Sequence, residues 1–256
     1  VEILAAAYQR WGVECVKHLI GVFAFAVWDE NEHRLFLARD PIGVKPLYIA
    51  QKPPYFAFAT EITGLQPLPF ISCEINPLRV ADHLAAQINE NELTFYREIT
   101  RLPPASCLTL QNGNVRTWEY WSPRDVSPLR LPSPADYAEG FREQFTRAVA
   151  VNMRSAYPIG SMLSGGLDSS SVTAAARSLT NGEPLHTYSV IYPQTPESDE
   201  REFIQPVIDQ GGLIPHFIDG NAQSTLVMLQ EPHLAANLFM TQYAYAQAER
   251  DGVRVV

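Results

Sequence analysis

Ile159-Gly160-Ser161-Met162-Leu163-Ser164-Gly165-Gly166-Leu167-Asp168-Ser169-Ser170-Ser171 is the stretch on which the fold of this chain turns. Residues 159–163 read as a short apolar strand, and residues 169–179 as a helix closed by Asn181-Gly182; the paired glycines mark the turn between them. Downstream the alternation repeats: strand 185–191, helix 200–210 ended by Gly211-Gly212, strand 213–218, helix 234–250 ended by Gly252, and a fourth strand beginning at 253–256. Upstream, Ser133-Pro134-Ala135-Asp136 supplies an N-cap serine, a proline at N1 and an acid at N3, a helix start. Tyr137, Phe141, Phe145 and Val149 then repeat every four residues along that helix. Strands alternating with helices predict an α/β parallel sheet covered on both faces.

In such a sheet ligands bind off the carboxyl ends of the strands, where residues 164–171 fall. Gly165 and Gly166 let backbone N–H groups approach an anion, and the unpaired N–H groups of the following helix favour phosphate. Asp168 is the odd member, because a carboxylate beside phosphates needs a cation between them; magnesium is its natural partner. The lysine of the G-x-x-x-x-G-K-[ST] loop is missing, and no lysine follows Lys52, so this is not that loop. An ordinary glycine-rich turn with Asp168 capping the helix stays open on the pattern alone.

The first third has a different texture. Ile3, Leu4, Ala7, Tyr8 and Trp11 fall at helical spacing before Gly12. Short strands are expected over 22–28, 35–38, 47–50 and 55–59, a short helix over 77–87, and hairpins over 96–121, with Asn112-Gly113 as a tight turn. Four prolines within 122–134 read as a connection. The expected organisation is a first domain over 1–121, a linker over 122–132 and a second domain over 133–256.

A net charge of −9 and only three lysines exclude an ordinary nucleic-acid surface. Cys15, Cys73 and Cys107 are widely spaced and form no CxxC pair, and the six histidines show no zinc spacing. The expectation is a cytoplasmic protein without a signal peptide or a membrane span. The chain starts inside a helical pattern and stops inside a strand pattern, so a fragment is expected.

Ser164 to Ser170 resembles the pyrophosphate loop of the N-type ATP pyrophosphatases in its asparagine synthetase version. Gly21 to Asp29, Leu35 to Tyr48 and Phe58 to Ile62 are similar to the later part of the glutaminase domain of asparagine synthetases, and Tyr120-Trp121 to that domain's end. The resemblance implies part of an α+β glutaminase-type (Ntn) domain, then an α/β parallel-sheet domain of the adenine nucleotide alpha hydrolase, Rossmann-like kind. It implies an ATP-dependent, AMP-forming ligase that adenylates the side-chain carboxylate of aspartate and aminates it with ammonia from glutamine. Leu163, Ser164, Gly165, Gly166, Leu167, Asp168, Ser169 and Val190 would bind ATP and its pyrophosphate, with Asp168 on Mg²⁺. For Leu163 and Val190 core packing is the equal alternative, and for Asp199-Glu200, which match a family acidic pair, a helix N-terminus is. The implied partners are ATP, glutamine and aspartate or another carboxylate, with neither nucleic acid nor membrane, and a homodimer as an open expectation.

Two departures stand out. The family's nucleophile is an N-terminal Cys, which Cys15 cannot replace, so no catalytic residue is assigned. The run Glu231 to Leu238 is closer to asparagine-synthetase-like macrolactam formers, such as lasso peptide cyclases, with His233 read as a surface helix-start residue. The acidic loop and the later lysine expected near and beyond residue 253 are absent. An amide synthetase acting on another carboxylate, or a homologue without turnover, are the alternatives.

Overall fold

The computed structural model describes residues 1–87, 92–220, 231–232 and 238–256, the first three residues of the last stretch by backbone alone. They form two compact units: the first holds residues 1–128 with Glu231 and Pro232, the second residues 129–220 and 238–256.

In the first unit, α1 (Glu2–Trp11) runs into a 3-10 helix over Gly12–His18. A four-stranded antiparallel sheet follows, built from β1 (Ala24–Asp29), β2 (Arg34–Arg39), β6 (Ser106–Gln111) and β7 (Asn114–Glu119) in the order β1-β2-β6-β7. The second sheet has β3 (Tyr48–Lys52) between β4 (Tyr55–Ala59) and β5 (Ile99–Arg101), again antiparallel. The period of two along β2 shows how the layers stack. Phe36 and Ala38 point at Ala7, Tyr8 and Cys15 below the helix. Leu37 points the other way, packing with Leu108 on Ile49 of the second sheet and on Leu47 and Leu102, which flank its strands. The far face of that sheet is closed by Ile62, Leu65 and Ile71 against Ala50 and Ile99. This unit is therefore helix, sheet, sheet.

Local signals account for the turns. Asn112 (φ 52) and Gly113 (φ 76) both take positive φ between the paired residues Gln111 and Asn114, the turn that Asn-Gly favours. The Asp29 carboxylate accepts the N–H groups of Asn31 and Glu32 and so closes the β1–β2 hairpin. The helix expected over 77–87 is α2 (Pro77–Leu84), capped by the Asn76 side chain, with residues 85–87 outside it.

In the second unit, α3 (Pro134–Asn152) begins with the expected box: Ser133 and Asp136 bond each other's backbone. Its apolar stripe is only half used, since Phe141 is 71% exposed while Phe145 and Val149 are half-buried. Then come β8 (Gly160–Met162), α4 (Leu167–Ser178), β9 (Leu185–Ile191), α5 (Arg201–Ile208), β10 (Leu213–Asp219) and α6 (Leu238–Arg250). The three strands pair in parallel in the order β10-β9-β8. Val255 adds a parallel bridge to Ile159 on the outer side of β8, so the expected fourth strand is a single bridge among the described residues. Residues 234–237, expected to open the last helix, lie outside the described residues.

The order along the sheet thus runs outward through β9 and β10 on one side of β8 and jumps to Val255 on the other. β8 is where the direction reverses, the position at which open α/β sheets bind ligands beyond their strand ends. Alternation along β9 again separates two faces. Tyr188 and Val190 pack on Ala244 and Ala248 of α6, whereas Ser161 of β8 meets Thr173 of α4 by a buried 2.9 Å hydroxyl contact.

Candidate functional site

The loop leaving β8 is anchored at its base. Leu163 is fully buried; its N–H donates to the Tyr188 carbonyl (2.9 Å), and its carbonyl accepts the Ser189 hydroxyl (2.6 Å). Beyond it the chain turns through Gly165 at φ +81, a region L side chains rarely enter. A Cβ there would also lie 2.9 Å from Phe203 Cβ and 3.1 Å from the Glu200 carbonyl. Glycine is required twice over: for the left-handed turn, and for the close approach of α5.

Helix α4 starts two residues earlier than the sequence suggested, with Gly166 as its N-cap and no side-chain cap. Asp168 therefore sits in the first turn and does not cap the helix, so the open alternative of a capping role is not the one realised. Its carboxylate is exposed and enters no hydrogen bond or ion pair among the described residues. The N–H groups of Gly166, Leu167 and Asp168 are likewise without partners among the described residues. Two serines knit the loop instead. Ser169 Oγ accepts the Ser164 N–H (3.2 Å), contacts Ser164 Oγ (3.0 Å) and donates to the Gly166 carbonyl (3.2 Å). The result is a helix N-terminus of free donors beside an unclaimed carboxylate. Free N–H groups attract an anion, and an oxygen ligand attracts a hard cation.

The other expected positions are resolved unequally. Leu167 is 83% exposed at the mouth of the loop. Val190 packs in the core beside Tyr188, on the α6 face of β9, and so does not lie on the α4 side. Asp199 is committed: it accepts the Arg201 N–H and pairs with its guanidinium at 2.7–2.8 Å, and that arginine holds its carboxyl below the usual range. Glu200 is exposed. His233 lies outside the described residues, while Glu231 bonds the Phe95 N–H and the Arg101 guanidinium, each at 2.7 Å, within the first unit. Beside the loop, a cleft of about 600 Å³ runs between α3, α4 and the edge of β8, lined by Phe145, Val149, Met162, Ser169, Val172 and Val255.

Sequence reasoning missed Ser161, Thr173 and Ser189, which brace the loop from below. A signal existed: Thr187 and Ser189 place small polar residues at alternate, buried positions of β9.

Cys15 and Cys107 are fully enclosed, and burial pushes both thiols up, away from thiolate. The run Arg39 to Lys45 turns out to be a built loop. The Arg39 guanidinium donates to the carbonyls of Gly43, Lys45 and Leu102 at 2.6–2.7 Å. The Asp40 carboxylate accepts the N–H groups of Ile42, Val44 and Lys45 at 3.0–3.2 Å. Burial alone would raise Asp40; the backbone donors outweigh it and hold the carboxyl below its ordinary value.

The first unit is thus antiparallel α+β, and the second is a parallel sheet with a loop of free N–H groups at its reversal point. Residues 1–121 match the family model of the glutamine amidotransferase domain, and residues 140–256 that of asparagine synthase. Asparagine synthetase 3 (glutamine-hydrolysing) of Bacillus subtilis is 34% identical over 209 residues, covering 80% of this chain and 34% of that protein. A putative asparagine synthetase 2 of Methanocaldococcus jannaschii is 30% identical over 212 residues, covering 81% and 40%. Amidase chry2 of Gibberella zeae is 33% identical over 175 residues, covering 67% and 25%. The chain belongs to the glutamine-dependent asparagine synthetase family, and spans about a third of the length of these curated relatives. Among the described residues no helix is long and apolar enough to cross a membrane.

Proposed function

We propose that this chain is part of an asparagine synthase that hydrolyses glutamine, with residues 1–121 in the amidotransferase domain, 122–132 as linker and 133–256 in the ligase domain. In the reaction a carboxylate oxygen of aspartate attacks the α-phosphorus of ATP and pyrophosphate leaves. Ammonia released from glutamine then attacks the acyl carbon, loses a proton and expels AMP. The single observation that carries this reading is the loop: among the described residues the N–H groups of Gly166, Leu167 and Asp168 are free, beside a carboxylate without a partner.

Each residue has a distinct task. Gly165 and Gly166 bring backbone donors to the departing pyrophosphate, and Ser164 and Ser169 fix the loop and offer hydroxyls. Leu163 and Val190, at adjoining strand ends, support the nucleotide through the backbone while their side chains fill the core. Asp168 would hold Mg²⁺, which supplies charge neutralisation for the pyrophosphate as it leaves. The donor set fits that ion, since a carboxylate and hydroxyls are hard oxygen ligands and no competing amine is present in the loop. Stabilising charge on a leaving phosphate by fixed dipoles is worth more in a site shielded from water. No glutaminase nucleophile is assigned in this chain, since Cys15 is enclosed and mid-sequence. Small-molecule substrates, a cytoplasmic location and a homodimer complete the reading.

The relative named an amidase, together with the run Glu231 to Leu238, favours a second reading in which the same loop activates a carboxylate other than aspartate. The test separates them. Full-length protein is assayed for exchange of labelled pyrophosphate into ATP with and without aspartate. Aspartate-dependent exchange, lost in Asp168→Asn with unchanged circular dichroism, is the expected outcome. Exchange that requires a different carboxylate selects the second reading, and exchange unaffected by Asp168→Asn removes that residue from the metal.

A further inference from the structure

On the face of the parallel sheet turned away from α4, three side chains converge that the ligase loop does not use. His186 is the second residue of β9, His216 lies on β10 two residues beyond the position paired with His186, and Asp251 follows α6. His216 Nε2 is 2.9 Å from His186 Nδ1, and its Nδ1 is 3.3 Å from Asp251 Oδ2. One ligand atom of each lies within 4.8 Å of the others, and all three residues are half-buried. The imidazole planes differ by 9°, with centroids 5.1 Å apart. That spacing matches two rings meeting edge to edge, nitrogen to nitrogen, and not two stacked faces. The carboxylate is itself held. Tyr188 Oη donates to Asp251 Oδ2 at 3.1 Å, and Gln247 Nε2 donates to Oδ1 at 3.1 Å.

We infer that His186, His216 and Asp251 form a binding site for a divalent transition-metal ion of the zinc class. Two imidazoles and a carboxylate are the ligand set such ions prefer, and a hard ion such as magnesium does not. The ligands come from two paired strands and the end of the helix packed on them, so their spacing is set by the fold. Around a tetrahedral ion with bonds near 2.0–2.1 Å, ligand atoms stand about 3.3 Å apart, so the two imidazole nitrogens need part by only about 0.4 Å, with a tilt of one ring. With His216 Nε2 on the ion, Asp251 leaves its place 3.3 Å from His216 Nδ1 and brings an oxygen to the ion, a movement within the 4.8 Å that spans the three ligand atoms. His186 supplies its Nδ1 lone pair when its proton moves to Nε2, so no net proton is needed. Tyr188 and Gln247 are the outer shell that aims the carboxylate. The site is separate from the ligase loop: His186 pairs with Gly160, three residues before Leu163, and α4 lies across the sheet.

The probe is Zn²⁺ titrated into the metal-stripped full-length protein in excess Mg²⁺, with Co²⁺ in parallel for its visible absorption. The expected result is an equivalent of Zn²⁺ that Mg²⁺ does not displace, bound at least about 10-fold more weakly by His216→Gln and by Tyr188→Phe. Loss in Tyr188→Phe, which leaves all three ligands in place, distinguishes an oriented site from incidental histidines. Since a histidine variant can fail to fold, the unmutated protein is also followed by the nitrogen resonances of its imidazoles. Shifts at His186 Nδ1 and His216 Nε2 on adding Zn²⁺ support the site. Unmoved resonances, or Zn²⁺ uptake equal in the variants, overturn it and leave a chain of hydrogen bonds filled only by protons.

Discussion

Gly165 and Asp168 are three residues apart, yet they are held in place by different forces and should fail in different ways. Gly165 answers to the backbone: its φ of +81, and Phe203 standing only 2.9 Å from where a Cβ would be, leave no room for a side chain. Gly165→Ala should therefore cost about 1–3 kcal/mol from conformation alone, seen as a lower denaturant midpoint, and pyrophosphate exchange should fall with it. Asp168→Asn removes no bond from the folded protein, so it should leave that midpoint within about 0.5 kcal/mol of the parent while exchange disappears. A variant of Gly165 that keeps full stability would show that the turn relaxes easily and the steric reading is wrong. Ser189 sits between these cases. Its hydroxyl meets the Leu163 carbonyl in a buried 2.6 Å bond, and Ser189→Ala should cost about 1–3 kcal/mol because the carbonyl is left dry and unpaired. The two glycines and the aspartate were legible in the sequence, because they break the local pattern. Ser189 was legible only as a small polar residue alternating with Thr187; the carbonyl beneath it, on another strand end, was not.

At the scale of elements, the loop from Arg39 to Lys45 makes the clearest case for chemistry hidden in a motif. Read as sequence it is a family signature; in the fold, Arg39 and Asp40 saturate each other's surrounding backbone, one as donor and one as acceptor. Tyr120 closes the arrangement by donating to the Arg39 carbonyl at 2.9 Å, and its phenol is pushed up chiefly by burial. The Asp40 carboxyl is held below its unfolded value, so its contribution is fully present above about pH 4 and is lost as the pH falls through the folded value. Thermal melts of the chain between pH 3 and 7 should thus show an acid limb that is shallower in Asp40→Asn, although that variant is less stable at pH 7. An unchanged limb would move the acid sensitivity to other carboxylates. Helix starts and tight turns were also readable, as Ser133 with Asp136 and Asn112-Gly113 show, because short-range bonds decide them. The limits of α4 and α5 were not. The start of α4 depends on Gly166 serving as a cap without a side chain, and α5 (Arg201–Ile208) is shorter than its apolar pattern and contains Pro206. The glycine loop also packs against the start of α5, a contact across 38 residues that no local window contains.

The whole chain divides its spectroscopic reporters as unevenly as its chemistry. All four tryptophans, Trp11, Trp28, Trp118 and Trp121, belong to the first unit, and the glycine loop belongs to the second. The two-part organisation was readable because the texture of the sequence changes, from hairpin strands to alternating helix and strand, near the prolines that follow Trp121. Strand order was not readable; the reversal at β8 becomes visible only when Val255 is seen to pair with Ile159. This uneven division turns the organisation into a measurable property. A ligand that binds only the folded second unit stabilises it by about 2.7 kcal/mol at a concentration one hundred times its dissociation constant. If the units unfold independently, pyrophosphate with Mg²⁺ should raise the melting of helical signal in far-ultraviolet circular dichroism, because the second unit carries α3 to α6. The midpoint read from tryptophan emission should stay where it was. Amide exchange should show the same split, with protection rising in β8, α4 and β9 and unchanged in β2 and β6. Both probes moving together would mean that the units unfold as one, and the loop would then report on the amidotransferase side as strongly as on its own.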